Sequence, residues 1–250
     1  TSSSPTPSVA SGEEQVVAAH FVVIGAGGLG CPALLGLRAA GAARIDIIDH
    51  DRVELGNLPR QVLFDHGDIG APKAEVAAAR LRTLGVDAHA HVERVAPEQL
   101  HDRIAALPSS AIVLDCTDAP AVKFACNDAL IALARRGVIG AALALRGQAI
   151  AVAPGSACYR CVYEAPPPVE LVPTCAEAGV LGPAVGTVGM FMAHLAVLLA
   201  GDAGHDAVGR LFVLELGLGQ LRALSGRSRP DCRCASARVT ATAAVTSESL

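Results

Sequence analysis

A chain of 250 residues, 52% of them hydrophobic, is long enough for one well-buried domain and only slightly longer than a single large α/β unit. A formal charge of −4, with scattered Lys and Arg, leaves no broad basic surface; this sets nucleic acid aside as main partner in favour of small molecules or proteins. No charged, then apolar, then small-residue segment opens the sequence, so a cytoplasmic setting is expected, in which the 8 cysteines stay reduced and available to metal or chemistry.

Residues 1–15 are rich in Ser, Pro and Thr and read as a flexible N-terminal tail, residues 16–234 as a single domain, and residues 235–250 as a second flexible tail. Within the domain, short apolar β-type runs alternate with longer Ala- and Leu-rich helical stretches, the pattern of a parallel sheet with crossover helices. The runs 20–24, 44–48, 88–92 and 111–114 are the first four expected strands, and Gly41, Gly85 and Pro108 end the helices between them. From Gly137 the texture changes: 138–142 and 148–152 are strand-like, with a turn expected at Arg146-Gly147. A Pro-rich, cysteine-bearing loop spans 154–183, a length that in a compact chain points to function or mobility. The most apolar stretch, 184–200, contains Thr187 and His194 and falls short of the ~20 residues a bilayer span needs, so it reads as a buried helix and no membrane is implied. Strands 211–216 and 220–224 close the chain. The expected fold is α/β: a Rossmann-like nucleotide-binding fold, its mostly parallel sheet continued by antiparallel strands.

After the first strand comes Gly25-Ala26-Gly27-Gly28-Leu29-Gly30. Glycines there permit a tight turn and bring backbone N–H groups against a phosphate at a helix N-terminus. Asp49, at the end of the second strand, is placed to accept hydrogen bonds from ribose hydroxyls. Alone, these features fit NAD, FAD or ATP, so a nicotinamide-dependent oxidoreductase stays open here. A bare strand-to-helix turn is the plainer alternative.

The segments downstream of Asp49 are more specific. The run from Asp49 through Asn57 and Arg60 to Gln61 is succeeded in order by Gly70-Ala71-Pro72-Lys73, Leu114-Asp115-Cys116-Thr117-Asp118, Cys158-Tyr159-Arg160-Cys161, and Thr174-Cys175-Ala176-Glu177-Ala178-Gly179-Val180. Over residues 20–234 these blocks resemble the ThiF/MoeB/HesA family of ubiquitin-activating-type adenylyltransferases. The resemblance implies ATP as the nucleotide, with Asp49 on the ribose, Asn57, Arg60 and Lys73 on the phosphates, and Asp118 holding Mg²⁺. The charges agree, since Arg60 and Lys73 put positive charge where a triphosphate needs it. Asp118, just past the fourth strand, suits a cation held by oxygen ligands, with the N-cap of the next helix as the plainer alternative. Asp115 reads as structural or as a support behind the ligating residues.

Cys158 and Cys161 form a Cys-x-x-Cys knuckle, and Cys232 and Cys234 supply two more sulfurs about 70 residues later. Together they can make a tetrahedral structural zinc site. The resembled family usually ends in Cys-x-x-Cys, whereas one residue separates Cys232 from Cys234, which leaves a lost or three-cysteine site open. A redox role for the knuckle has no thioredoxin-like context. Cys175 lies where family members can present a nucleophile for sulfur or acyl transfer, with a merely packed thiol as the alternative. Cys31, Cys116 and Cys126 sit in or beside apolar elements and read as small buried residues. None of the 8 histidines has an evident catalytic spacing.

The implied reaction is attack by the C-terminal carboxylate of a small ubiquitin-like or sulfur-carrier protein on the α-phosphate of Mg-ATP, giving an acyl-adenylate and pyrophosphate. The resemblance also implies a diglycine tail on that carrier and a homodimer. Relatives carry an Arg-Tyr-x-Arg-Gln type segment before the first strand whose arginine reaches ATP across the dimer; the first arginine here is Arg38. A catalytically weakened ATP- or carrier-binding homologue is therefore the second expectation.

Overall fold

The computed structural model describes residues 9–168, 179 and 181–235. Its elements, in chain order, are α1 (Val9–Ala18), β1 (His20–Ile24), α2 (Gly30–Ala39), β2 (Arg44–Ile48), α3 (Lys73–Thr83), β3 (Asp87–His91), α4 (Leu100–Ala105) and β4 (Ile112–Asp115). They continue with α5 (Pro120–Ala132), β5 (Arg136–Leu143), β6 (Arg146–Val152), α6 (Tyr159–Val162), α7 (Gly182–Ala200), β7 (Arg210–Glu215) and β8 (Gln220–Ser225).

One sheet holds the described strands in the order β3-β2-β1-β4-β5-β6-β7-β8. The first five run parallel and β6 to β8 continue antiparallel, as the sequence pattern anticipates. Strand periodicity sorts the side chains between two cores. Phe21 and Val23 of β1 face the core shared with α2, α3 and α7; Val22 and Ile24 face the one shared with α4 and α5. All five β1 residues are therefore buried, which is why the strand reads as a continuous apolar run. On α3, Ala74, Ala77, Ala78 and Leu81 are buried at the i, i+3, i+4, i+7 spacing of one helical face. A third core, with Phe124, Ile139, Ile150 and Tyr159, lies under the antiparallel end.

Two expectations need correction. The hairpin between β5 and β6 turns at Ala144-Leu145, with Leu143 opposite Arg146 and Ala142 opposite Gly147. Ala144 takes up the turn at φ 51°, a conformation unfavourable to a side chain. Gly147 is instead a strand residue that α7 requires to be small: a β-carbon there would lie 2.1 Å from Val188 Cγ2. This glycine serves close packing and not the turn. The expected loop 154–183 also contains the short helix α6, and α7 begins at Gly182.

Helix α1 overlaps the segment expected to be a tail; Val16, only 2% exposed, anchors it in the core. Helix α7 is long and apolar enough to cross a membrane by length and composition, but half of that stretch is buried inside the protein, against α2, β5 and β6.

Candidate nucleotide site and cysteine cluster

Strand β1 lies between β2 and β4, so successive crossovers leave in opposite directions on either side of it. A crevice opens there at the carboxyl ends of the strands, where ligands bind in open α/β sheets. The glycine loop fills the β1 side. Gly25, at φ 92°, donates its N–H to the Ile48 carbonyl (2.8 Å), and the chain enters α2 with Cys31 N–H on the Gly27 carbonyl (2.9 Å). A β-carbon at Gly30 would sit 1.9 Å from the Gly25 carbonyl oxygen, so only glycine fits. No side chain caps the N-terminus of α2, and with Cys31 and Ala33 bonded back to Gly27 and Leu29, a ligand would meet the loop that leads into the helix.

Asp49 ties this loop down. It is 8% exposed; one carboxylate oxygen accepts the Ala26 N–H (2.6 Å) and the other the Asp51 N–H (2.8 Å). Burial pushes its carboxyl above the ordinary carboxylate range, opposed by those two N–H donors. Asp51 in turn pairs with Lys73, whose ammonium, almost wholly enclosed at the start of α3, lies 3.0 Å from Asp51 Oδ2. Arg60 reaches the loop from the other side, its Cγ 3.7 Å from where a β-carbon on Gly28 would be. Its guanidinium donates to Asn57 Oδ1 (2.6 Å) and the Gly56 carbonyl (3.1 Å). The structure thus gathers the glycines, Asp49, Asn57, Arg60 and Lys73 around one loop.

Asp118 stands on the β4 side. The neighbouring Cys116 and Thr117 backbone would be 3.1–3.2 Å from a β-carbon on Gly25, so this turn abuts the glycine loop. Asp118 is exposed, and among the described residues its carboxylate makes no hydrogen bond or ion pair. The competing N-cap role does not hold: Ala119 occupies the N-cap of α5, and no side chain bonds there. Asp115 is fully buried, with Oδ1 accepting the Thr117 N–H (3.0 Å) and hydroxyl (2.7 Å) and Oδ2 without a partner among the described residues.

Two buried groups at this edge go beyond the residues the sequence pattern marks. Gln61 is 4% exposed beside the glycine loop, and its Oε1 has no hydrogen-bond partner among the described residues. Lys123, on α5, is 3% exposed and spends its ammonium on backbone carbonyls. A lysine inside the otherwise uncharged first half of that apolar helix is the available signal.

The four cysteines converge as expected. The sulfurs of Cys158, Cys161, Cys232 and Cys234 all lie within 4.8 Å of one another, with separations of 3.9, 3.5 and 3.3 Å along the chain 161–158–232 and across 161–234. Zinc bonded to four sulfurs at about 2.3 Å holds them about 3.8 Å apart, so the set fits such an ion despite the shortened Cys-x-Cys end. Asn127 supports the knuckle, accepting the Tyr159 N–H (2.8 Å) and donating to Cys158 Sγ (3.7 Å). Burial raises the Cys158 thiol to about 11. Burial also acts to raise Cys161, but surrounding backbone hydrogen bonds, including the Arg229 N–H at 3.5 Å, turn its net shift downward. Cys31, raised to about 12 by burial, Cys116 and Cys126 are inert interior thiols. Cys175 lies outside the described residues.

The ThiF family matches residues 7–235. The sulfur carrier protein adenylyltransferase of Thermus thermophilus is 37% identical over 230 residues, 88% of this chain and 83% of that protein. The adenylyltransferase and sulfurtransferase MOCS3 of Mus musculus is 37% identical over 88% of this chain, and uba4 of Emericella nidulans 35% over 90%; the chain spans about half the length of both, 48% and 49%. Among solved structures, E. coli MccB with ATP superposes with a TM-score of 0.79 at 18% identity, covering 91% of this chain and 70% of that one, a likeness of fold. By sequence, the chain belongs to the ThiF family.

Proposed function

We propose that this protein adenylates the C-terminal carboxylate of a small ubiquitin-like or sulfur-carrier protein with a diglycine tail, consuming Mg-ATP and releasing pyrophosphate, in sulfur transfer for cofactor or natural-product biosynthesis. The observation that carries the reading is the glycine loop, locked by Asp49 at the β1/β4 crevice with Arg60 beside it and a free Asp118 carboxylate opposite. The adenylyltransferase names of the relatives support it.

ATP supplies an α-phosphate open to attack by the carrier carboxylate. The chain's own part is positioning and charge neutralisation. The loop N–H groups donate to phosphate oxygens, and Gln61 Oε1, buried without a partner among the described residues, is left to accept from a ligand O–H or N–H. Asp49 directs its remaining lone pairs to the ribose, and Asn57, Arg60 and Lys73 turn toward the phosphates. Asp118 holds Mg²⁺ through oxygen. The four-cysteine cluster holds zinc as a structural tie, in keeping with thiols unpaired by disulfides among the described residues and with a cytoplasmic setting. A homodimer completes the proposal.

ATP–pyrophosphate exchange with Mg²⁺, run against a panel of diglycine-tailed carriers alongside MgATP calorimetry, tests it. Exchange with one carrier establishes the reaction. Tight MgATP binding without exchange favours a second reading, a catalytically weakened binder, which the absence of any basic residue in α1 motivates. A melting temperature raised by NAD(H) and not by MgATP overturns both.

A further inference from the structure

We propose that Lys123 is a positioning residue that fixes the 115–118 turn and thereby sets Asp118 for Mg²⁺; the magnesium part rests on the adenylation reading above. Its ammonium lies inside the protein, bonds two carbonyls and pairs with a carboxylate from three places in the chain. It donates to the Thr117 carbonyl at 2.6 Å and to the Gly140 carbonyl on β5 at 2.5 Å, and it stands 3.7 Å from Asp115 Oδ1 at the end of β4. Asp115 Oδ1 in turn accepts both the N–H and the hydroxyl of Thr117. Thr117 is thus held through three of its polar groups, while the next residue, Asp118, makes no side-chain bond of its own among the described residues. The position of the Asp118 carboxylate is set by the backbone that Lys123 and Asp115 clamp.

A buried ammonium is a costly way to fill space, because desolvation opposes it and an apolar side chain of similar volume is often as stable. What lysine provides and methionine cannot is a charged donor to two carbonyls at the sheet's carboxyl edge. The clamp also faces the glycine loop, since Thr117 N would be 3.2 Å from a β-carbon on Gly25. Groups that hold a ligating residue without touching the metal typically matter by 10- to 100-fold in metal affinity or activity, so an effect of about that size is expected here.

The test uses the full chain with Lys123→Met and Lys123→Arg. Without nucleotide, hydrogen exchange of the 116–119 backbone is expected to rise in Lys123→Met with the remaining strands unchanged, and to return toward wild type in Lys123→Arg. The Mg²⁺ concentration for half-maximal ATP binding is expected to rise about 10-fold or more in Lys123→Met. The shift should vanish when the same change is made in Asp118→Asn, because both act through one carboxylate. Unchanged exchange at 116–119, or an undiminished Mg²⁺ shift in the Asp118→Asn background, overturns the proposal. Should Lys123→Met not fold, Thr117→Val removes the hydroxyl bond to Asp115 and keeps the lysine; higher exchange at 116–119 supports the clamp and unchanged exchange overturns it. A wild-type chain that binds no MgATP overturns the adenylation reading and the magnesium part together, and the exchange data still decide the clamp.

Discussion

The glycine loop and the cysteine cluster are both shaped for a ligand but are closed by different means. The loop is closed within a short stretch, by the Asp49 carboxylate on Ala26 N–H, 23 residues apart. The cluster joins Cys158 to Cys232 and Cys161 to Cys234, 74 and 73 residues apart, through sulfur contacts that are weak bonds by themselves. Backbone hydrogen bonds and a glycine-only approach hold the first shape without a ligand. The second is supported by Asn127, the Arg229 N–H and the core around Cys158 and Cys234, but its four sulfurs are joined to one another only by those weak contacts, so a bound zinc would link its stability to metal.

Four changes would break or sharpen that contrast, in falling order of effect on stability. Cys232→Ser, or chelation of the wild type, withdraws apparent zinc binding energy of about 10 kcal/mol or more, so a large fall in melting temperature with loss of about one zinc per chain is expected. An unchanged melting curve after complete chelation, or no zinc by elemental analysis, removes the metal site. Gly30→Ala drives a β-carbon against the Gly25 carbonyl. Overpacking of this kind costs about 1–3 kcal/mol, and MgATP binding should be lost because the loop must open. Retained binding would show that the loop is not the phosphate cradle.

Asn127→Ala strips the Tyr159 N–H and Cys158 Sγ of their buried partner, at a cost of about 1–3 kcal/mol, and should weaken zinc retention while leaving MgATP binding intact. Loss of nucleotide binding with zinc retained would contradict the assignment of Asn127 to the knuckle. Asp118→Ala changes an exposed, unbonded carboxylate, so stability should stay within about 0.5 kcal/mol of wild type. Mg-dependent pyrophosphate exchange should be abolished; wild-type turnover would end the magnesium assignment.

Much of the nucleotide side is legible in the sequence because its parts are local. Strand β1, the glycines and Asp49 succeed one another in a pattern whose periodicity and chemistry agree. The cysteines are legible as a set, since thiolate pairs carry a chemical signal even when their separation does not. Gly147 misleads because a glycine near a reversal suggests a turn, whereas its need is set by Val188, a residue 41 positions on, packing from α7. Lys123 shows in the sequence only as a charge in an apolar helix, because its partners, Thr117 and Gly140, bond it through carbonyls that every residue has. A backbone acceptor leaves no trace in side-chain identity.

The amino-acid sequence by itself determined the alternation of strands and helices, the nucleotide loop and the cysteine set, because hydrophobic period, glycine tolerance and thiolate chemistry are properties of residue type. Only the tertiary structure decided which carboxylate is buried against the backbone and which is exposed. Asp115 and Asp118 lie three residues apart, yet one ends a buried strand and is bonded to Thr117 while the other emerges at the crevice, unbonded among the described residues. That difference comes from where the sheet edge stops and what packs over it, a property of the assembled chain.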